Sequence, residues 1–221
     1  MTNPAYDPDQ YWEARGGESY RIYTDSPGYR HYREAQFGFY RQLVAELNPQ
    51  RLLDFGCGSG KLFPLWASVP EVHAYDRARS QIDAARAEAV RVRPGDPYRL
   101  MHCLTGERYA TPYDDDYFDL VVVAEVLLHV LPEDISALVG ELHRICCGHL
   151  AIVVPAPFDN PAPHCFDHDY VSLYQGRFTI TDDHCLHGQR YITARKISAP
   201  PTLSARPMIK AKEARDALVT P

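Results

Sequence analysis

A chain of 221 residues with 45% hydrophobic and 24% charged side chains is long enough to enclose one core with additions at its ends. It has no apolar run of membrane-spanning length, and a formal net charge of −6 argues against a dedicated nucleic-acid surface, which needs a positive field to displace counterions. The opening Met1–Asp7 lacks the basic flank and apolar stretch of a secretion signal, and six cysteines without framework spacing read as reduced thiols, so the cytoplasm is expected.

Residues 1–29 are polar and tyrosine-rich, broken by Pro4, Pro8, Gly16, Gly17, Pro27 and Gly28. A helix is predicted next, because Phe39, Tyr40, Leu43, Val44 and Leu47 share one stripe that Asn48-Pro49 ends. A short apolar run, Leu52-Leu53-Asp54-Phe55, leads to a glycine-rich turn and a predicted helix through Leu62, Leu65 and Trp66. The alternation continues: strand Val72–Tyr75, helix Gln81–Val92, strand Tyr98–Leu104, strand Phe118–Ala124, helix Glu133–Cys146, strand Leu150–Val154. Strands alternating with helices at this spacing imply a doubly wound α/β domain with a mostly parallel sheet. After Pro155 the backbone is irregular, with Pro157, Pro161 and Pro163. A brief helix near Tyr170–Tyr174 and an antiparallel pair, Arg177–Thr181 with Gln189–Ala194, follow. The tail from Ser198 has little to bury, although Lys210–Val219 has the composition of a helix.

The text with most chemical content is Leu52-Leu53-Asp54-Phe55-Gly56-Cys57-Gly58-Ser59-Gly60-Lys61-Leu62, at a strand-to-helix turn. Glycines there let a ligand approach the backbone, and unpaired N–H groups of a following helix suit a carboxylate. A dinucleotide fingerprint needs a sixth-position glycine, but counting from Gly56 that position is Lys61. The pattern is D-x-G-x-G-x-G, which resembles motif I of the class I S-adenosylmethionine-dependent methyltransferases. The resemblance runs on through Asp76 at the end of the second strand, 22 positions after Asp54. It continues through Gly106-Glu107-Arg108-Tyr109 ahead of Phe118-Asp119-Leu120-Val121, and through Glu125-Val126-Leu127-Leu128-His129 after the fourth strand. Gln189–Lys196 is similar to the family's terminal strand, so the likeness covers roughly residues 51–196.

The resemblance implies a Rossmann-like seven-stranded sheet of order 3-2-1-4-5-7-6 with the last strand antiparallel. It also implies S-adenosyl-L-methionine as cofactor, and transfer of its methyl group to N or O of a small-molecule acceptor. Cofactor contacts fall by resemblance on Asp54, Gly56, Gly58, Gly60, Asp76, Arg77, Glu107, Arg108 and Glu125. Asp76 would hold the ribose hydroxyls, with a helix N-cap as the alternative. Asp54 would meet the methionine amino group or brace the loop. Glu107 would meet the adenine amino group or stand as a solvated loop acid. His129 is the candidate general base, because an oxygen or protonated amine nucleophile must lose a proton and histidine titrates in the right range. Its alternative is to position a loop. Glu125 lies four residues earlier and would share its face if a helical turn begins there.

Three other readings stay open: an RNA or protein methyltransferase, a non-catalytic S-adenosylmethionine-binding partner protein, and a nicotinamide enzyme. Metal-dependent RNA methyltransferases carry a second glutamate where this chain has Leu128, which together with the acidic charge disfavours RNA. His164-Cys165-Phe166-Asp167-His168 and His184-Cys185-Leu186-His187 hold zinc-type ligands, but neither has a C-x-x-C pair or finger spacing, and no metal is assigned. Tyr6, Tyr11, Trp12, Tyr20, Tyr23 and Tyr29 would form a lid, or simply pack on the surface. The expected division is an aromatic lid segment over 1–29, a methyltransferase domain over 30–197 and a tail over 198–221, acting on a small molecule with no nucleic-acid or membrane partner.

Overall fold

The computed structural model describes residues 6–15, 30–96, 98–102, 109–156 and 162–197. The strands are β1 (Arg51–Phe55), β2 (Glu71–Asp76), β3 (Arg99–His102), β4 (Phe118–Ala124), β5 (Cys146–Pro155), β6 (Phe178–Leu186) and β7 (Gln189–Lys196). They form one sheet in the order β3-β2-β1-β4-β5-β7-β6. β1 to β5 pair in parallel, and β7 runs antiparallel to both β5 and β6. This is the fold expected above.

Period-two alternation decides what each strand residue buries. Leu52, Leu120, Val122, Ala151 and Val153 face one layer, where they meet Tyr40, Leu43 and Val44 of α2 (Arg30–Leu47) and Ile82, Ala85 and Ala89 of α3 (Arg79–Val92). Leu53, Val121, Val123, Leu150 and Ile152 face the other, against Leu138, Leu142 and Ile145 of α4 (Ile135–Ile145) and Tyr170 and Tyr174 of α5 (Tyr170–Tyr174). Both faces of β4 are covered, which is why its sequence reads as an unbroken valine run. Each fully buried Leu or Val on these faces contributes on the order of 2 kcal/mol.

α2 ends at Asn48, which takes a left-handed φ of 43° before Pro49. The β6–β7 hairpin closes on His187 and Gly188, both at positive φ (49° and 75°), the conformation a two-residue type I′ turn requires. Gly148 is needed for close approach: a Cβ there would sit 2.3 Å from the carbonyl oxygen of Asp119, beside the register shift between β4 and β5.

Two elements depart from the sequence expectation. The segment after the glycine turn is a short 3₁₀ turn, Phe63–Trp66, built from i→i−3 bonds such as Leu65 N–H to Leu62 O. Pro64 lies in its first turn, where a missing N–H is tolerated, and the segment stops after four residues without becoming a regular α-helix. The carboxylate-binding helix start expected at this turn is therefore not formed. An unexpected helix, α1 (Pro8–Ala14), is capped by Asp7, whose carboxylate accepts from the backbone of Asp9 and Gln10. Among the described residues no helix is long and apolar enough to cross a membrane.

Candidate active site

The sheet order reverses direction between β1 and β4, and a cleft opens at the carboxyl ends of β1, β2 and β4. Its floor is the turn after β1. Gly56 and Gly60 sit at φ 76° and 83°, and a Cβ on either would strike Val126 at 2.3 Å or Phe63 at 2.7 Å. The glycines are required first by the protein's own packing, which leaves the backbone bare toward the cleft.

Asp76 ties this turn to the end of β2. Its Oδ2 accepts from Gly58 N–H and its Oδ1 from Ala78 N–H, both at 2.9 Å. Gly56 and Cys57 donate to the Tyr75 carbonyl at 2.7 and 2.9 Å, which fixes the same edge from the other side. The carboxylate therefore braces the turn at the edge of the cleft.

Asp54 is 1% exposed and lines the cleft. Its Oδ2 accepts from the Trp66 indole at 2.9 Å, and burial pushes its pKa up to about 7 despite that bond. Glu125, at the end of β4, is a non-glycine residue at φ 57°, a conformation that costs roughly 1–2 kcal/mol. Its Oε1 accepts from Gln36 at 3.4 Å and Gln189 at 2.5 Å, and its Oε2 lies 3.9 Å from Lys61 Nζ. Glu125 thereby organises the cleft wall between α2, β7 and the glycine turn. The shared helical face with His129 does not form, because Glu125 precedes a 3₁₀ turn of three residues, Leu127–His129, from a left-handed backbone position.

His129 lines the cleft at the end of that turn. Its Nδ1 lies 3.2 Å from the His164 carbonyl oxygen, to which it donates as the Nδ1–H tautomer, so Nε2 carries the lone pair. The Trp12 ring meets the imidazole edge-on at 4.7 Å, and the His164 ring stacks on it at 5.3 Å. Burial pushes the His129 pKa down to about 4, so the ring is neutral at physiological pH. His168 is buried with Nε2 3.0 and 3.1 Å from the carbonyls of Leu127 and Val130, and so braces the turn that carries His129.

α1 lies across this end of the cleft. Arg77, at the end of β2, donates Nε to Asp9 Oδ1 at 2.8 Å, and its Nη2 pairs with the same oxygen. The Glu13 carboxylate accepts from Arg79 N–H at 2.7 Å and Ser80 N–H at 3.2 Å, capping α3, whose own N-cap Ala78 has no side chain able to do so. Tyr6 donates its hydroxyl to the His129 carbonyl at 3.1 Å, and the Tyr11 hydroxyl lies 3.0 Å from His164 Nε2.

The structure thus brings together Asp54, Gly56, Gly58, Asp76, Arg77, Glu125 and His129 around one cleft, with Gly60 closing the turn beneath it. Glu107 and Arg108 lie outside the described residues, as do Tyr20, Tyr23 and Tyr29. The two histidine–cysteine clusters do not combine. His164 and Cys165 gather instead with His129, their ligand atoms within 4.8 Å of one another, while His184 pairs with Asp182 on edge strand β6. Asp9, Glu13, Gln36 and Gln189 were not anticipated. For the first two a signal was present, since Asp7-Pro8 is a helix-start pair that places both acids on α1.

A family model described as a methyltransferase domain matches residues 53–149, the stretch from β1 to β5 that builds this cleft. Over that stretch the chain is similar to the class I S-adenosylmethionine-dependent methyltransferases, as its motifs led us to expect. An uncharacterised methyltransferase of Schizosaccharomyces pombe is 26% identical over 184 residues, covering 78% of this chain and 62% of that protein. A ubiquinone biosynthesis O-methyltransferase of Methylocella silvestris is 36% identical over 124 residues, covering 55% of this chain and 43% of that one. The chain therefore spans less than two thirds of the length of either relative. Magnesium protoporphyrin IX methyltransferase from Synechocystis PCC 6803, solved with bound S-adenosylmethionine, shares the fold with a TM-score of 0.66. It is 17% identical, over 89% of this chain and 100% of that one. The cofactor of this methyltransferase family is S-adenosylmethionine.

Proposed function

We propose that this chain methylates N or O of a small-molecule acceptor at the cleft between β1 and β4, with His129 as the general base. The observation that carries the reading is the joint between Gly58 and Asp76, which sets a bare backbone turn and a braced carboxylate against one cavity. Those residues fit the family's cofactor. Asp76 sets a carboxylate at the cleft where ribose hydroxyls would lie, Asp54 is a buried carboxyl suited to an ammonium group, and the glycine turn leaves room for the chain between them.

Bound S-adenosylmethionine supplies an electrophilic methyl group on a sulfonium. The chain's own task is to align a nucleophile in line with it and to remove the nucleophile's proton. His129 is placed for the proton: its Nδ1–H is committed to the His164 carbonyl, leaving Nε2 as acceptor. Trp12 packs against it, with Tyr11 and Tyr6 beside Trp12, which supports a division into a lid segment over 1–29, a methyltransferase domain over 30–197 and a tail over 198–221. A neutral, aromatic surround favours an uncharged small acceptor over nucleic acid. We place the work in the cytoplasm, in keeping with free thiols at Cys57, Cys146, Cys147, Cys165 and Cys185.

The test is to incubate the pure chain with methyl-labelled S-adenosylmethionine and fractionated metabolite extract, and to identify the labelled product. A labelled small molecule together with S-adenosylhomocysteine supports the reading; label on RNA or protein alone, or no turnover with intact cofactor binding, sinks it.

A further inference from the structure

The side chains of His164 and Cys165 are zinc-type ligands that methyl transfer leaves unused, and the fold carries them to His129. Phe166 N–H donates to the Leu128 carbonyl at 2.7 Å and Cys165 N–H to the Ala162 carbonyl at 2.8 Å, which pins their segment to the turn after β4. One ligand atom from each of His129, His164 and Cys165 lies within 4.8 Å of the others, and all three residues are only partly buried. Cys165 Sγ stands 3.7 Å from His129 Nδ1. Zinc bonds of about 2.3 Å to sulfur and about 2.0–2.1 Å to nitrogen, at a tetrahedral angle, set such a pair about 3.6 Å apart. The Tyr11 hydroxyl is 3.0 and 3.2 Å from the two His164 nitrogens, so it can orient that ring through the nitrogen a metal leaves.

We propose that His129, His164 and Cys165 form a zinc-binding site whose occupation switches the general base off. Two imidazoles and a thiolate suit Zn²⁺ and not Mg²⁺, which takes oxygen ligands, and three protein ligands leave the fourth position to water. Coordination at His129 Nδ1 displaces the proton now given to the His164 carbonyl. A neutral imidazole keeps one proton, so it returns through solvent to Nε2, and the lone pair that would accept from the nucleophile is lost. Zinc takes cysteine as the thiolate, so the Cys165 thiol proton leaves to solvent. The site stands on these three side chains alone; its effect on turnover rests on the base assigned to His129 above.

The experiment titrates the full chain with Zn²⁺ by calorimetry, with Mg²⁺ present throughout. A single Zn²⁺ should bind with release of about one proton. Cys165→Ala and His164→Gln should each weaken it at least about tenfold, and Cys185→Ala, in the other histidine–cysteine cluster, should change nothing. The wild type loaded with Co²⁺ should show a thiolate-to-cobalt charge-transfer band, a reading that needs no variant to fold. Long-range proton–nitrogen spectra should show the His129 proton moving from Nδ1 to Nε2 as Zn²⁺ is added. With labelled S-adenosylmethionine and the metabolite extract, Zn²⁺ should stop transfer by the wild type and leave Cys165→Ala turning over. Zinc affinity indifferent to Cys165 and His164, its loss in Cys185→Ala, an absent thiolate band, an unmoved Nδ1 proton or turnover untouched by bound zinc overturns the inference. A chain that binds zinc in this way and moves the proton, yet methylates nothing in the extract, keeps the site and loses only the function proposed above.

Discussion

Gly58 donates its backbone N–H to Asp76 across 2.9 Å, so the turn after β1 and the end of β2 are one mechanical unit. Removing the carboxylate frees two backbone donors, those of Gly58 and Ala78, and takes away the proposed ribose contact. Asp76→Ala should therefore weaken S-adenosylmethionine at least about tenfold by calorimetry. An affinity within twofold of wild type would place the nucleoside elsewhere.

His129 should act on rate and not on affinity. His129→Ala is expected to lower turnover by about 10²–10⁴-fold with little change in cofactor Kd. The wild-type rate should rise with pH through about 4, where the buried ring loses its proton, and lie flat from there to neutrality. The same shift is a stability statement. The folded ring resists protonation between its ordinary 6.5 and about 4, so this contribution is complete above pH 6.5 and is lost as pH falls through that window. A rate limb near pH 6.5 would mean the ring is solvated.

Asp54 predicts the opposite slope. Burial raises its carboxyl from 3.8 to about 7, so the folded state holds a proton that the unfolded chain releases. Stability from this group is complete below pH 3.8, declines as pH rises to about 7, and is level above. Asp54→Asn keeps an acceptor for the Trp66 indole and should stabilise the apo protein at pH 8 by roughly 2–4 kcal/mol in urea unfolding. In the wild type, binding a cationic amine beside Asp54 should release a proton near pH 6–7, read from calorimetry in buffers of different ionisation enthalpy. Binding with no proton exchange there would move the ammonium away from Asp54.

Glu13 joins α1 to α3 by capping the latter from a distant part of the chain. Glu13→Ala leaves the Arg79 and Ser80 N–H groups uncapped and should cost about 1 kcal/mol. Asp9→Ala releases Arg77 from the same helix. Both changes should speed release of S-adenosylhomocysteine in stopped-flow, and the wild-type release rate should rise with salt. Release that ignores both substitutions would show that α1 does not gate the cleft.

The sheet was legible because its determinants are local. Runs such as Leu120–Val123 and the return to glycine at positions 56, 58 and 60 fix strand, turn and switch point within a few residues of text. The places of Asp76 and His129 at the cleft were legible for a similar reason, the first ending β2 and the second lying in the turn that follows β4. The obscured features depend on chain segments meeting across long separations. Glu13 reaches Ser80 over 67 positions, and His129 meets His164 over 35. Nothing in either segment's own pattern names its partner. The 3₁₀ turn is a different case: the apolar spacing of Leu62, Leu65 and Trp66 pointed to a helix, but the segment runs for four residues only. Glu125 fell between the two, because its position after β4 was visible and its left-handed backbone was not.

The chain holds two tryptophans, one lining the cavity and the other behind a residue that lines it. Trp66 is fully buried with its indole on Asp54, while Trp12 rides on α1 against His129. The protein is thus its own optical probe. Trp66 emission reports the charge state of a buried carboxyl, Trp12 emission reports whether the cover is seated, and replacing one by phenylalanine lets the other be followed alone through a catalytic cycle.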